Sequence, residues 1–169
     1  MPPVISLIGK ANCGKTTLLE QLIPALIRRG VRVGTIKHHV HAFTMDQPGK
    51  DTWRHKQAGA CVVALSSPTG VAIIRDTDHD LNLDELGSRY YAEVDLVLTE
   101  GYKQGPAPKI EIFRSTVHDQ PLAHRDNTWL AYVSDRPLTG CGLPVFGLGD
   151  VDALAGFLVA TFRLAGNQS

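Results

Sequence analysis

The sequence predicts an α/β protein: a three-layer fold with a mostly parallel sheet, helices on both faces and an added β-hairpin. Three observations carry this expectation. Strand-like apolar runs alternate with helix-period segments along the 169 residues, the pattern of right-handed strand–helix–strand crossovers. Val4–Ile8 and Val94–Thr99 are nearly continuous apolar runs, as in strands covered on both faces. Between the first strand and the first helix stands Gly9-Lys10-Ala11-Asn12-Cys13-Gly14-Lys15-Thr16, which is G-x-x-x-x-G-K-T, the phosphate-binding P-loop. The fold is therefore expected to be the P-loop NTPase type, in a single domain over residues 1–169 with a hairpin insertion at about 60–75.

The elements follow in order. After strand Val4–Ile8, a helix is expected over Thr16–Arg29, with Leu18, Leu19, Leu22, Ile23, Leu26 and Ile27 as its core face. Pro24 should kink it, and Arg28, Arg29 and Gly30 suit its end. Val31–Lys37 reads as a second strand, followed by a His-rich loop to Gly49 and a short helix over Lys50–Gly59. Ala60–Ser66 and Gly70–Arg75 flank Ser67-Pro68-Thr69 and read as a hairpin. Such a hairpin is marginal alone and must pack on the main sheet or on a second copy of the chain. A helix over Asp84–Tyr91, capped by Asn82, precedes strands Val94–Thr99, Lys109–Phe113, Trp129–Ser134 and Pro144–Leu148. Val151–Leu164 closes the fold as a helix, with Asp150 or Asp152 as cap, and Ala165–Ser169 should fray.

Composition narrows the function. Lys plus Arg and Asp plus Glu are 17 each, so there is no basic excess for a general nucleic-acid or membrane-surface binder. No apolar run approaches ~20 residues and the chain opens without a signal-peptide pattern. Cys13, Cys61 and Cys141 are scattered, which suits a reducing cytoplasm and offers no zinc framework.

The loop names its ligand class, a nucleotide di- or triphosphate with Mg²⁺. Loop amides wrap the phosphates, Lys15 supplies a charge at the β/γ oxygens, and Thr16 offers its hydroxyl to the metal. Asn12 sits where such loops often need positive φ, a conformation that Asn tolerates. Cys13 is read as a small filler or as a redox-sensitive thiol beside a helix N-terminus. Lys10 stands where one P-loop subclass carries a lysine that reaches a partner subunit.

A P-loop site needs a carboxylate at the end of a neighbouring strand. Glu100 closes Val94–Thr99 at the carboxyl edge, where open sheets bind ligands. Asp95, five residues earlier, is about 16 Å away at the strand rise of ~3.3 Å per residue, so distance selects Glu100. Lys37-His38-His39-Val40-His41 suits an anion on a substrate or partner, an ordinary polar loop, or a metal. In Asp46-Gln47-Pro48-Gly49-Lys50-Asp51, Asp51 is a helix cap or a contributor to the Mg²⁺ water shell. Asp135, after Tyr132-Val133-Ser134, stands where GTP-binding proteins read guanine with a carboxylate, although the customary Asn-Lys pair is missing. On that contact GTP is expected over ATP, because a site built to pair a base edge rejects the wrong base.

Taken together, the P-loop, Ile36-Lys37-His38-His39, Asp46-x-Pro48-Gly49-Lys50-Asp51, Ala58-Gly59-Ala60, Glu100-Gly101-Tyr102-Lys103 and Lys109-Ile110-Glu111 resemble the MobB family of molybdopterin-guanine dinucleotide biosynthesis. The resemblance runs from about Val4 to Asp135 and implies a GTP-binding protein, dimeric through exchanged β-structure. Such a protein assists the nucleotidyltransferase that attaches GMP to molybdopterin and hydrolyses GTP weakly at most. It implies Gly9, Asn12, Cys13, Gly14, Lys15, Thr16 and Thr17 as the phosphate site, and Glu100 and Asp51 for the metal. Lys37, His38 and Lys50 would meet the partner or the pterin's phosphate. Asn12-Cys13 departs from the Gly- or Ser-rich loop common in that family. Two other classes stay open: a small-molecule kinase, whose lid would be Ser115–Asp126 with Arg114 and Arg125, and a metal-delivery GTPase using the histidines.

Overall fold

The computed structural model describes residues 1–39, 41 and 43–164. Its elements are β1 (Val4–Ile8), α1 (Lys15–Ile27), β2 (Val33–Lys37), α2 (Asp51–Gln57), β3 (Val62–Ser67), β4 (Gly70–Arg75), α3 (Leu83–Tyr90), β5 (Leu96–Glu100), β6 (Lys109–Phe113), β7 (Trp129–Ser134), β8 (Val145–Gly147) and α4 (Val151–Phe162). They form two compact units, one from Met1–His38 with Leu83 onward and one from His39–Asn82.

The larger unit holds a six-stranded sheet in the order β2-β5-β1-β6-β7-β8, and every pairing is parallel. Its central strands are buried on both faces: all five residues of β1 and of β6 are buried. Side chains of successive strand residues point to opposite faces. Ile5 and Leu7 accordingly join the main core with Leu22 and Leu26 of α1 and with Leu154, Ala155 and Leu158 of α4. Ile8 points the other way and packs with Trp129 and Tyr132. The same alternation sets Gly34 opposite Val33, which packs on the main core; a Cβ at Gly34 would meet the Tyr91 ring at 2.5 Å. Tyr91, just after α3, thus covers the second face and anchors there by donating its hydroxyl to the Thr35 carbonyl at 2.7 Å. Each fully buried leucine contributes about 1.5–3 kcal/mol.

Several boundaries and roles differ from expectation. Ile27 is 57% exposed, while Ala25 is buried. At about 100° per residue Ile27 stands roughly 140° around α1 from Leu22, off the core face. Arg29 donates to the Ala25 carbonyl at 2.9 Å, satisfying the helix end, and ties it to Asp152 of α4 at 2.9 Å. Asp150 takes the N-cap position of α4 as expected, but its carboxylate makes no capping bond and accepts the Gly147 amide at 2.8 Å instead, while Asp152 lies in the first turn and is committed to the two arginines. The last helix stops at Phe162 because Arg163 turns left-handed at φ 50°, and the tail Ala165–Ser169 lies outside the described residues. Among the described residues no helix is long and apolar enough to cross a membrane.

In the smaller unit β3 and β4 pair antiparallel around Pro68-Thr69, with Ser67 opposite Gly70. Val63 is buried, whereas Val62, Leu65, Val71 and Ile73 are more than half exposed.

One buried acid sits beneath the second face. Glu111 is 1% exposed and accepts the Leu122 amide at 2.6 Å and the Trp129 indole N–H at 3.1 Å. Burial pushes its carboxyl above the ordinary glutamate range, against the opposing pull of those two donors. The folded chain therefore holds that proton more tightly than the unfolded chain does. Its contribution is complete below the unfolded pKa of ~4.3 and declines as pH rises through the folded value. Urea midpoints of wild type and Glu111→Gln should show the wild type losing ground to the variant as pH rises from about 4. A wild type that gains ground over that range would refute the assignment.

Candidate nucleotide site

β1 ends at Ile8 and the chain turns at once through Gly9 (φ 153°), Asn12 (φ 59°) and Gly14 (φ 95°). Asn12 takes the left-handed conformation that its place in the loop demands. Only glycine fits at position 9, since a Cβ there would stand 2.5 Å from the Ile112 carbonyl oxygen and 2.6 Å from Cys13 Sγ. Gly14 is the N-cap of α1, and the first turn of that helix carries no acidic residue. Unpaired amides and the positive dipole end therefore face the loop with no carboxylate competing for them.

Lys15 lies back over its own loop, donating to the carbonyls of Lys10 at 2.9 Å and Gly9 at 3.4 Å, with Cys13 Sγ at 3.7 Å. Cys13 is 1% exposed and belongs to the main core, so packing accounts for it better than redox chemistry. Lys10 reaches the Gln120 carbonyl of its own chain at 2.7 Å.

Thr16 Oγ1 donates to Glu100 Oε2 at 3.1 Å. The parallel register explains the meeting: Glu100 ends β5 beside Leu7 of β1 and Lys37 of β2. A hydroxyl and a carboxylate are hard oxygen ligands, and Mg²⁺ takes only one or two protein oxygens, with phosphate and water completing the shell. These residues fit that ion. Asp95 is committed elsewhere: Arg32 grips it through Nη2 at 2.8 Å and Nε at 3.1 Å and holds its carboxyl below the usual range.

Lys37 closes β2 and His38 follows it. The His38 amide donates to the Glu100 carbonyl at 3.0 Å and its ring lies 4.5 Å from that of Tyr102. Gly101 (φ 126°) admits this approach, since a Cβ would come within 3.0 Å of the His38 carbonyl oxygen. His39 and His41 lie in the smaller unit with ring centroids 5.5 Å apart; Val40 lies outside the described residues. No group of three or more His, Cys, Asp or Glu among the described residues is arranged to hold a metal. Lys50 and Asp51 begin α2, also in the smaller unit; Lys50 is the N-cap, and no side chain caps that helix, so Asp51 does not play the capping role.

Asp135 follows β7. Its carboxylate accepts the Ser115 amide at 2.8 Å and the Thr116 amide at 3.3 Å, and these bonds lower its pKa. Beside it Ser134, Pro137, Leu138, Phe146 and Gly147 line a cleft of about 390 Å³ at the carboxyl edge. The expected kinase lid is not a unit with two free arginines. Arg125 donates to the Cys141 carbonyl. Arg114 instead lies against the P-loop, with Cδ 3.7 Å from where a Cβ of Gly14 would stand. His118 Nε2 donates to the Ala11 carbonyl at 2.7 Å. The approach of Arg114 and His118 to the P-loop was not legible, because the sequence does not reveal that β6 is the immediate neighbour of β1.

Comparison with known proteins agrees with this architecture. The family model for molybdopterin guanine dinucleotide synthesis protein B, MobB, matches residues 4–135. The molybdopterin-guanine dinucleotide biosynthesis adapter protein of Haemophilus influenzae is 42% identical over 137 residues, covering 80% of this chain and 76% of that protein. The Escherichia coli protein of the same name is 37% identical over 163 residues, covering 94% and 93%. The crystal structure of Bacillus subtilis MobB superposes with a TM-score of 0.76 at 26% identity over 98% of this chain and 99% of that one. A crystal structure of molybdopterin-guanine biosynthesis protein B gives 0.73 at 28% identity over 95% and 99%. With the family model matching residues 4–135 and relatives of 37–42% identity over most of its length, the chain belongs to the MobB family.

Proposed function

We propose that the chain is a GTP-binding adaptor of molybdenum cofactor biosynthesis. It assists a cytoplasmic partner nucleotidyltransferase in attaching GMP to molybdopterin and has at most weak Mg²⁺-dependent GTPase activity. The observation that carries this reading is the meeting of Thr16 and Glu100 at 3.1 Å across the mouth of the P-loop. The adapter names of the relatives supply the pathway.

Gly9, Asn12, Cys13, Gly14, Lys15, Thr16 and Thr17 present amides, a cation and hydroxyls to the phosphates. Thr16 and Glu100 hold the metal, which neutralises phosphate charge when bound. Asp135 and the cleft beside it receive the guanine. Lys37, which is exposed, and His38, whose partly buried ring lies beside Tyr102, are suited to an anion on the partner or pterin. For Lys50 and Asp51 the partner and metal-water roles rest on the Asp46–Asp51 motif. The exposed apolar side chains of β3 and β4 are the proposed homodimer surface.

Titration with GTP and ATP, each with and without Mg²⁺, tests the reading. GTP should bind more tightly than ATP, and Mg²⁺ should tighten GTP binding in wild type but far less in Glu100→Gln. A preference for ATP with rapid transfer to a small acceptor would replace the adaptor with a kinase.

A further inference from the structure

We propose that Arg114 binds the phosphate nearest the nucleoside, on the flank of the P-loop opposite the metal. The inference rests on the nucleotide-binding reading above and assigns a residue to it.

The sheet order gives the P-loop two unlike flanks. β5 lies on one side of β1 and delivers Glu100; β6 lies on the other and delivers Arg114, the residue after Phe113. Thr16 faces the first flank through its bond to Glu100. Thr17 faces the second. With Cys13, Gly14, Gln21, Leu148 and Arg114 it lines a cavity of about 120 Å³ at the start of α1. Asp135 and its cleft lie beyond β6, at the ends of β7 and β8. A nucleotide with its metal at Glu100 and its base at Asp135 must pass its innermost phosphate between Thr17 and Arg114.

The arginine is built for an anion. Its Nη1 stands 4.0 Å from the Cβ position of Gly14, over the glycine whose left-handed turn opens the helix. Its Nε is buried and has no hydrogen-bond partner, the one side-chain nitrogen among the described residues in that condition. A buried donor of a charged group left unpaired is costly, and a phosphate oxygen would satisfy it. The backbone root is fixed. The Arg114 carbonyl accepts the amides of Val117 at 3.1 Å and His118 at 3.0 Å. Asp135 accepts the next two amides, and His118 fastens the same turn to Ala11 of the P-loop. These bonds use main chain and neighbouring side chains, so they survive replacement of the arginine side chain.

A contact on this flank is blind to the outermost phosphate. It must serve GTP and GDP alike, unlike an arginine that stabilises charge at the transferred group. Calorimetric titration of wild type, Arg114→Lys and Arg114→Gln with Mg²⁺–GTP and Mg²⁺–GDP tests this. Arg114→Gln should raise both dissociation constants by the same factor, about 10- to 100-fold, leaving their ratio unchanged. Arg114→Lys should fall between, because it keeps the charge and loses the planar fork. If Arg114→Gln fails to fold, the equal loss for the two nucleotides in Arg114→Lys carries the test. Unchanged constants, a loss confined to GTP, or slowed hydrolysis at unchanged affinity overturns the assignment. A wild type that binds neither nucleotide overturns the functional reading itself.

Discussion

Lys15→Ala should weaken Mg²⁺–GTP binding by about 2–4 kcal/mol, roughly 30- to 1000-fold in dissociation constant. The ammonium sits at the centre of the loop and is held in place by the carbonyls of Lys10 and Gly9. In that position it is already preorganised for phosphate, so little ordering opposes binding. Removing it leaves the outer phosphates facing neutral amides and hydroxyls, since Arg114 is placed at the innermost phosphate and Lys10 turns away to the Gln120 carbonyl. The same substitution should change the unfolding midpoint little, because the lost bonds are from a partly buried ammonium to carbonyls that water can reach. Calorimetric titration beside a thermal melt separates the two effects. A dissociation constant equal to that of wild type would remove Lys15 from the phosphate site.

Gly9→Ala should cost about 2–4 kcal/mol of folding stability and abolish tight nucleotide binding together. The position has φ 153°, and a Cβ would stand 2.5 Å from the Ile112 carbonyl oxygen, a backbone atom that cannot rotate away. Relief requires parting β1 from β6 or displacing Cys13, which is packed in the core. Either motion distorts the loop that follows. Gly149→Ala is the matched control, since no atom lies within 4 Å of the Cβ position there. Equal denaturation midpoints for the two variants would show that the close approach at Gly9 carries no energy.

The P-loop, the strand before it and the helix behind it were legible because one local pattern fixes all three. Glu100 was legible because strand rise separates it from Asp95, and the bidentate grip of Arg32 explains what Asp95 does instead. Ile27 was misread because helix spacing alone does not set the centre of the buried face, which falls nearer Leu22 and Ala25. Asp150 was rightly placed at the N-cap of α4, but side-chain capping was misread, because Gly147 and the two arginines won the carboxylates of Asp150 and Asp152. The place of Arg114 was hidden for another reason. A residue at the end of β6 meets the P-loop only through sheet order, and order is a property of the whole chain. The buried Glu111 likewise gave no sign of its surroundings, because its donors Leu122 and Trp129 come from segments that only the fold brings together.

The short turn after β6 is tied to Ala11 at one end and to Asp135 at the other. Ser115 and His118 are three residues apart, too few to absorb a displacement between those anchors. On the proposed reading, an entering phosphate and an entering base therefore load the same four-residue turn from its two ends.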